Sequence, residues 1–346
     1  MAEQRGAGMA ADIAEQPEVF ARLLARADEI GAVAKAIAEK KPRHVVFAAR
    51  GTSDHAALYG AYLAEIRLGL PAALASPSAI TLYGARPDLR DTLVVGVSQS
   101  GGSPDLSEVL RVAGEQGALT LAVTNAPGSP LAETAHLHVD IAAGVERAVA
   151  ATKTYTAELL ALLLLVEGVR GLEAGDRAVL ESLPELARTT LDDPAPAQIA
   201  ERYRFAAQVV TTGRGYAYPT AREAALKLME TSYLAALAFS GADLLHGPLA
   251  MTDSDVPVLA VTGTGPGGRS MHSVLERLSE RRADLVVIGA GEPELKALHL
   301  RTPDIDERFA PLLDILPLQQ LALAVALARG EDPDAPRGLK KVTATL

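Results

Sequence analysis

The sequence predicts an α/β protein built from two tandem lobes, each a parallel sheet flanked by helices on both faces. Apolar strand candidates alternate with helical segments along most of the 346 residues, a pattern typical of parallel sheets covered on both sides. A shift of 164 residues also superimposes three strands of the N-terminal half on three strands of the C-terminal half without a gap. A single register for three strands indicates an internal duplication.

The predicted elements divide the chain into five segments. We expect an N-terminal helix in residues 1–40, lobe 1 in residues 41–170 and a linker helix region in residues 171–200. Lobe 2 spans residues 201–332, and residues 333–346 form a C-terminal tail that is expected to close the site.

The strand candidates are continuous apolar runs, as buried parallel strands require. The most apolar helical stretch, 157–169, is too short to span a bilayer and carries Glu at both ends, so we expect it to be a buried helix. The strand candidates are 44–49, 92–98 and 119–124 in lobe 1 and 207–213, 256–262 and 284–290 in lobe 2.

Composition excludes several classes of function. The net charge of −10 argues against a general nucleic-acid binder, which needs a basic surface. The absence of cysteine excludes disulfides, thiolate metal sites and cysteine nucleophiles. The N-terminal residues lack the apolar core of a signal peptide. We therefore expect a cytoplasmic protein with neither a nucleic-acid nor a membrane partner.

Two polar turns in lobe 1 predict a phosphate site. The segment SQSGGSPDL (98–106) follows a buried strand, with Ser103 at the N-cap and Pro104 at the first position of the next helix. By itself this is consistent with an ordinary capped helix. A second turn, RGTSDHA (50–56), follows the neighbouring strand, and together the two turns form a cup of neutral donors near a helix N-terminus. The candidate phosphate-binding residues are Gly51, Thr52, Ser53, Ser98, Gln99, Ser100 and Ser103.

The bound phosphate is expected to belong to a sugar. The corresponding turns of lobe 2 have fewer hydroxyl groups, so lobe 1 is the expected phosphate-binding half. The sequence also lacks the glycine patterns of nucleoside triphosphate and dinucleotide sites, which favours a sugar phosphate over a nucleotide.

Acid–base residues are expected in lobe 2. Lys227 and Glu230 lie three residues apart on one helix face, where the alternative is an ordinary surface ion pair. His246 precedes Gly-Pro in a turn and is the best candidate for proton transfer among the seven histidines. His136 and His138 alternate as in a strand, but a third ligand is not near them, so we expect no metal. In the tail, Lys341 is a candidate cation or Schiff-base amine.

Six motifs together resemble the SIS (sugar isomerase) domain family. Within it, the chain is similar to the isomerase half of glucosamine-6-phosphate synthases and, more closely, to the glutaminase-free glucosamine-6-phosphate deaminases. The resemblance runs from residue 15 to the last residue. The motifs are RGTSDHA, SQSGGSPD, ERAVAATKTYT, EAALKLME, LLHGPLAM and RGLKKVT.

The resemblance implies a role for each candidate residue. The serines and Gln99 of the two turns bind phosphate, Glu230 moves a proton between C1 and C2 of the opened sugar, and Lys227 stabilises the enediol-like charge. His246 assists ring opening in the neighbouring subunit, which implies a homodimer, and Lys341 takes the place of an imine-forming lysine. Glu146 matches an acidic position near the sugar.

Three positions depart from the synthase pattern, and one of them, Ser103 in place of a threonine, is a mild change. Ala151 stands where the synthases have a serine that contacts the substrate, and Asp243 stands where they have a glutamate. The synthases also carry a glutaminase domain with a nucleophilic cysteine, which this sequence lacks. These departures put recognition of the amino and hydroxyl groups in doubt, but not phosphate binding.

The resemblance implies deamination of glucosamine-6-phosphate to fructose-6-phosphate and ammonia, without a metal or organic cofactor. Three alternatives remain open. In the first, abstraction of the same C2 proton from an N-acetylated substrate leads to dehydration of that substrate. In the second, the protein is a deglycase of other amino-linked sugar phosphates. In the third, it is a non-catalytic domain that senses sugar phosphates. The absence of a basic recognition helix near the N-terminus argues against a DNA-binding sensor.

Overall fold

The N-terminal segment is broken into three helices. We analysed a computed structural model that describes residues 5–291 and 295–339. Within residues 5–40 it contains α1 (Ala7–Ala14), α2 (Gln16–Leu24) and α3 (Ala27–Lys40). The expectation of one helix over residues 1–40 was therefore wrong. Pro17 explains the first break, because proline lacks the N–H that a helix interior needs but suits a first turn.

The chain folds into two compact units, which are described separately. The lobe-1 unit comprises Glu18–Glu146 and Lys153–Ser182. The lobe-2 unit comprises the N-terminal residues up to Pro17, Arg147–Thr152 and Leu183–Leu339.

The lobe-1 unit contains a parallel sheet whose central strand, Thr92–Ser98, is buried along its whole length, as its apolar sequence predicts. Its described strands are β1 (His44–Ala48), β2 (Ala72–Leu74), β3 (Thr92–Ser98), β4 (Leu119–Thr124) and β5 (Leu137–Asp140). They lie in the order β2-β1-β3-β4-β5. Ala48 of β1 pairs with Gly96 of β3, so the carboxyl ends of these neighbouring strands reach the same edge of the sheet.

Helices cover this sheet, and α3 and the helix Thr52–Leu63 (α4) both pack on the long helix Lys153–Arg170 (α8). The stretch 157–169 falls in α8, and its side chains up to Glu167 are buried, as expected. The helices after β1 are α4 (Thr52–Leu63), a π-helical turn (Ala64–Leu68), α5 (Pro77–Thr81), α6 (Pro104–Glu115), α7 (Pro130–Thr134) and α8 (Lys153–Arg170), and α9 (Ala174–Leu191) leads out of the unit.

The lobe-2 unit repeats this architecture. Its described strands are β6 (Gln208–Gly213), β7 (Ala235–Ser240), β8 (Pro257–Val261), β9 (Asp284–Gly289) and β10 (Leu298–Arg301). Its helices are α10 (Ala195–Tyr203), α11 (Ala217–Ser232), α12 (Gly241–Leu245), a 3₁₀ turn (Pro248–Met251), α13 (Pro266–Ser270), α14 (His272–Glu280) and α15 (Pro311–Ala328).

Strand order confirms the predicted fold class and the duplication. The second sheet has the order β10-β9-β8-β6-β7, which is the order of the first sheet when β6 is equated with β1 and β8 with β3. All described pairings in both sheets are parallel. The edge strands β2, β5, β7 and β10 were not among the strand candidates, although the alternation around His136 and His138 indicated β5. These strands are short or only partly buried, unlike the fully buried strands for which a continuous apolar run is expected.

The last described helix is unusually apolar. Among the described residues, α15 is long and apolar enough to cross a membrane, but 72% of it is buried inside the protein. It packs on α10 and α11 within the lobe-2 unit. Such burial is typical of a core helix, which is apolar on all sides.

We predict that Asp314 of α15 makes stability pH-dependent. Burial raises the pKa of this carboxyl to about 7, and the hydrogen bond from Thr302 Oγ1, at 2.6 Å, offsets only part of that shift. Because the unfolded chain ionises first, the free energy of unfolding should fall as pH rises from the ordinary aspartate range to about 7, by at most ~1.4 kcal/mol per pH unit.

Asp314→Asn removes the titration but keeps an oxygen that can accept from Thr302. Denaturant unfolding at a series of pH values should therefore show a shallower decline in the variant than in the wild type. Equal slopes for the two proteins would show that Asp314 does not titrate in this range.

Candidate functional site

Two donor turns lie side by side at the carboxyl edge of the lobe-1 sheet. One follows β1 and the other follows β3, and these strands are direct neighbours. Arg50 at the start of the first turn forms an ion pair with Asp105 in the first turn of α6, at 2.9 Å. Asp105 is 2% exposed and Arg50 is half-exposed. This bridge joins the two turns, so the structure brings together the residues that the sequence predicted for phosphate binding.

Backbone N–H groups of the second turn donate hydrogen bonds to serine hydroxyl groups of the same turn. The Gly101 N–H donates to Ser98 Oγ at 3.1 Å, and the Gly102 N–H donates to Ser100 Oγ at 3.2 Å. Both hydroxyls accept in these bonds, so their protons remain available for an anion. Ser103 adopts the extended N-cap conformation before Pro104, as predicted. Gln99 is partly exposed, and its backbone carbonyl accepts from the backbone N–H of Asn125 at 3.1 Å.

We predict that Gly101→Ala disrupts this turn. Gly101 has a φ of 60°, and an added Cβ would lie 2.0 Å from Ser129 Oγ. The clash and the left-handed backbone together should cost about 1–3 kcal/mol of unfolding free energy and weaken phosphate binding.

Gly128→Ala is the matched control for this prediction. No described atom lies within 4 Å of an added Cβ there, and its φ is outside the left-handed region. Denaturant unfolding should show little change for Gly128→Ala. Equal stability of the two variants would contradict the proposed strain at Gly101.

Ser53 in the first turn already has a strong partner. It lies near the start of α4 and is buried, and its Oγ donates to Glu158 Oε1 at 2.8 Å. A hydroxyl has one proton, so Ser53 can donate to a phosphate only if it releases Glu158. Thr52 begins α4, and Gly51 precedes it with a φ of 55°. Glu158 was not a sequence candidate, because it lies 105 residues away in the apolar pattern of α8.

Glu146 caps the N-terminus of α8. Its carboxylate accepts from the Thr154 N–H at 2.9 Å and from the Lys153 N–H at 3.3 Å, and also from Thr154 Oγ1. Glu146 is 5% exposed. An acidic residue here satisfies helix N–H groups and complements the helix dipole. The geometry therefore gives Glu146 a structural task alongside the sugar contact that the resemblance implied.

The corresponding turn of the lobe-2 unit holds its own carboxylate. Glu307 Oε2 accepts from the Gly267 N–H at 2.9 Å, and a Cβ added at Gly265 would lie 2.3 Å from the same oxygen. This turn has the place in its sheet that SQSGG has in lobe 1. Because the Glu307 carboxylate already occupies this turn, the turn is unsuited to binding a phosphate. This is in keeping with the prediction that the phosphate binds in lobe 1.

Charged residues converge on one face of α11 in the lobe-2 unit. The Lys227 ammonium lies 2.6 Å from Glu230 Oε2 and 3.3 Å from Glu223 Oε1. Lys227 and Glu223 are fully buried, whereas Glu230 is 23% exposed. Burial by itself would lower the pKa of Lys227, but the two carboxylates outweigh burial and raise it. The lysine therefore remains a cation, and the partly exposed Glu230 is the member that can reach a substrate.

Glu223 was missed by the sequence analysis. It stands four residues before Lys227, a spacing that places both on one helix face. That spacing could have found it, although it cannot distinguish a buried carboxylate from an exposed one.

The remaining candidates have simple surroundings. His246 is the C-cap residue of α12 and is exposed. Asp243 lies within α12; its carboxylate accepts from Ser240 Oγ at 2.7 Å, and its N–H donates to the same oxygen at 3.2 Å, so Ser240 caps the start of this helix. Ala151 is partly buried just before α8. Lys341 lies outside the described residues.

A family model and related sequences match most of the chain. The model for the SIS domain matches residues 37–168 and 203–328, which coincide closely with the two sheets and their helices. The glutamine–fructose-6-phosphate aminotransferase (isomerizing) of Methanothermobacter thermautotrophicus is 36% identical over 351 residues, covering 99% of this chain. The chain spans only 58% of the length of that relative.

Solved structures share the architecture. A protein of Silicibacter pomeroyi DSS-3, described as a candidate phosphosugar isomerase, is 35% identical with a TM-score of 0.87, covering 94% of this chain and 99% of that one. The glucosamine-6-phosphate deaminase of Thermotoga maritima is 20% identical with a TM-score of 0.79, covering 98% of this chain and 100% of that one. At that identity the second likeness shows the fold alone.

Proposed function

We propose, from the premise that the chain belongs to the SIS domain family, that it is a sugar-phosphate enzyme of the aldose–ketose isomerase type. The finer proposal is that it deaminates glucosamine-6-phosphate to fructose-6-phosphate and ammonia. The observation that carries the proposal is the arrangement of Glu230 beside the buried cation Lys227. A non-catalytic sensor has no need of a partly exposed carboxylate paired with a buried ammonium.

The donor turns of the lobe-1 unit supply the proposed phosphate site. The Ser98 and Ser100 hydroxyls, with the side chains of Gln99, Thr52 and Ser103, offer neutral donors, and α6 begins directly after them. A helix N-terminus favours an anion. Because the phosphate is remote from the reacting carbons, its binding energy can be used to orient the sugar.

Proton transfer is assigned to Glu230. In the opened sugar, the aldehyde at C1 acidifies the C2 proton, which Glu230 removes and returns to C1. In the same isomerisation the C2 amine loses a proton and the C1 oxygen gains one, so the product is an imine at C2 with a hydroxyl at C1. Water then hydrolyses this imine to the ketone and ammonia. Lys227 stabilises the negative charge that develops on the oxygen at C1. Each positioned acid or base of this kind contributes about 10²–10⁴-fold to the rate.

His246 and Lys341 complete the proposal with auxiliary roles. The exposed turn that carries His246 is compatible with donation of this histidine to a neighbouring subunit, where it would assist ring opening in a homodimer. Lys341 is proposed as a cation or an imine-forming amine near the open-chain sugar.

A second candidate reaction uses the same proton abstraction. If the nitrogen at C2 carries an acetyl group, loss of the C2 proton can expel the C3 hydroxyl and dehydrate the sugar. Ala151 favours this alternative, because its methyl side chain leaves more room than the serine of the synthases. Deglycation of other amino-linked sugar phosphates is a further variant.

Product analysis separates these reactions. The protein is incubated with glucosamine-6-phosphate and, separately, with its N-acetyl form, while ammonia, fructose-6-phosphate and ultraviolet-absorbing unsaturated sugar are measured. We expect ammonia and fructose-6-phosphate from the first substrate. Unsaturated sugar without ammonia would replace deamination by dehydration, and absence of product from both would overturn the proposed enzyme. Glucosamine without phosphate is the control, and it should react poorly.

A further inference from the structure

A large cleft lined by charged and apolar residues lies at the amino-terminal edge of the lobe-2 sheet. It is formed where β9 and β10 begin, at the opposite edge from the turns described above. Its volume is about 540 Å³, within the range of small-molecule sites. The lining residues that matter here are the cations Arg202, Arg282 and Lys296, the hydroxyls of Ser254 and Ser279, and the carboxylate of Asp284.

The cleft has an excess of positive charge although the whole chain is acidic. Arg202 is fixed by Asp284 through two hydrogen bonds of 2.8 and 2.9 Å, so this pair is neutral. Among the described residues, neither Arg282 nor Lys296 has an ion-pair partner. Two uncompensated cations therefore remain on the wall of a cleft in a protein whose net charge is −10.

Arg282 has an unusual backbone conformation. It follows the end of α14 with a φ of 58°, and its N–H and that of Ala283 donate to the carbonyls of Ser279 and Leu278. This pattern is the Schellman motif, whose left-handed position is usually glycine. A long cationic side chain here carries a conformational cost. Lys41 and Tyr233 end α3 and α11 in the same left-handed conformation, so the conformation by itself assigns no role to Arg282, but it fixes the point on the cleft from which this side chain extends.

The cleft also has apolar lining residues. Ala283, Leu285, Ala297 and Leu298 are among them, and Leu298 is 36% exposed. A ligand that suits this mixed lining has a dense negative charge and a small uncharged part. The hydroxyl of Ser279 adds a neutral donor for the same charge, whereas Ser254 Oγ donates to Asp255 Oδ1 at 3.5 Å.

We propose that this cleft is a second binding site, specific for small phosphorylated anions with at least two negative charges. Arg282 and Lys296 bind the anion, while the Arg202–Asp284 pair holds the wall of the cleft in place. The site is independent of the donor turns of lobe 1 and of the charged face of α11.

Binding of inorganic pyrophosphate tests the proposal. Isothermal titration calorimetry is performed on the full chain at low ionic strength, with wild type, Arg282→Gly and Lys296→Gln. Each variant should weaken the binding by about tenfold or more, because each removes a charge-assisted contact. Raising the ionic strength should weaken the wild-type binding as well. Glycine suits the left-handed position, so Arg282→Gly is expected to fold as well as the wild type.

Two controls separate this site from the proposed phosphate turns. Arg277 is an exposed arginine of α14, the helix that precedes Arg282, and it does not line the cleft. Arg277→Gln should therefore leave pyrophosphate binding unchanged. The double variant Ser98→Ala with Ser100→Ala should retain pyrophosphate binding at the cleft, whereas Arg282→Gly should leave turnover unchanged.

The proposal is overturned if the wild type does not bind pyrophosphate. It is equally overturned if both cleft variants bind as the wild type does, or if the loop variant alone abolishes binding. None of these results depends on whether the protein deaminates a sugar phosphate.

Discussion

Glu230→Gln is expected to reduce turnover by about 10²–10⁴-fold, the contribution of one positioned acid–base group, with little change in KM. The amide matches the carboxylate in shape but cannot take up the C2 proton. Glu230 is 23% exposed, so the substitution should also leave the folded structure intact. Steady-state rates with the substrate identified by product analysis measure the effect.

Glu276→Gln is the matched control, because Glu276 is an exposed glutamate on another helix of the same unit. It should retain wild-type turnover. If Glu230→Gln keeps more than about a tenth of the wild-type rate, a general base worth 10²-fold or more is not at this position, and proton transfer must be assigned elsewhere.

Lys227→Met is expected to lower the free energy of unfolding by about 3–5 kcal/mol, the typical cost of removing one partner from a buried ion pair. Lys227 is the cation between two carboxylates, one of them fully buried. Methionine fills similar space but leaves Glu223 and Glu230 facing each other without compensation. Denaturant unfolding at neutral pH measures the loss.

The pH dependence of this loss identifies its cause. Without the cation, burial and mutual repulsion raise the pKa values of the two carboxyls in the folded variant above their unfolded values. The variant should therefore be most stable relative to wild type at acid pH and lose stability as pH rises. Lys35→Met, at an exposed position of α3, should change stability little. A loss independent of pH would indicate a packing defect instead.

Much of the fold could be predicted from the sequence, because parallel strands covered on both faces must be continuously apolar. The strands β1, β3, β4, β6, β8 and β9 were identified this way. The edge strands β2, β5, β7 and β10 were not among the strand candidates, since half-exposed positions tolerate many residue types. The break of the N-terminal segment into three helices was also missed, although Pro17 marked one boundary.

The residues of the candidate site likewise divide into those that could be predicted from the sequence and those that could not. The donor turns were predictable because glycine, serine and proline have strong local preferences in turns and helix caps. The pairing of Lys227 with Glu230 was predictable from helix spacing. The partners Glu158 and Glu307 were not identified, because a glutamate inside a helix or loop shows no local sign of a group that is distant in sequence, whereas Glu223 was missed although its spacing from Lys227 could have indicated it.

The duplicated α/β fold and the turns at the ends of β1 and β3 follow from the amino-acid sequence, because strand burial and turn geometry depend on neighbouring residues. Which charges are buried became evident only from the folded chain. Ser53 hydrogen-bonds to Glu158, which is 105 residues away in the sequence, and Glu307 accepts from the N–H of Gly267, which is 40 residues away. Such contacts depend on chain topology and on the high cost of leaving a buried charge without a partner, and neither is encoded in a local pattern.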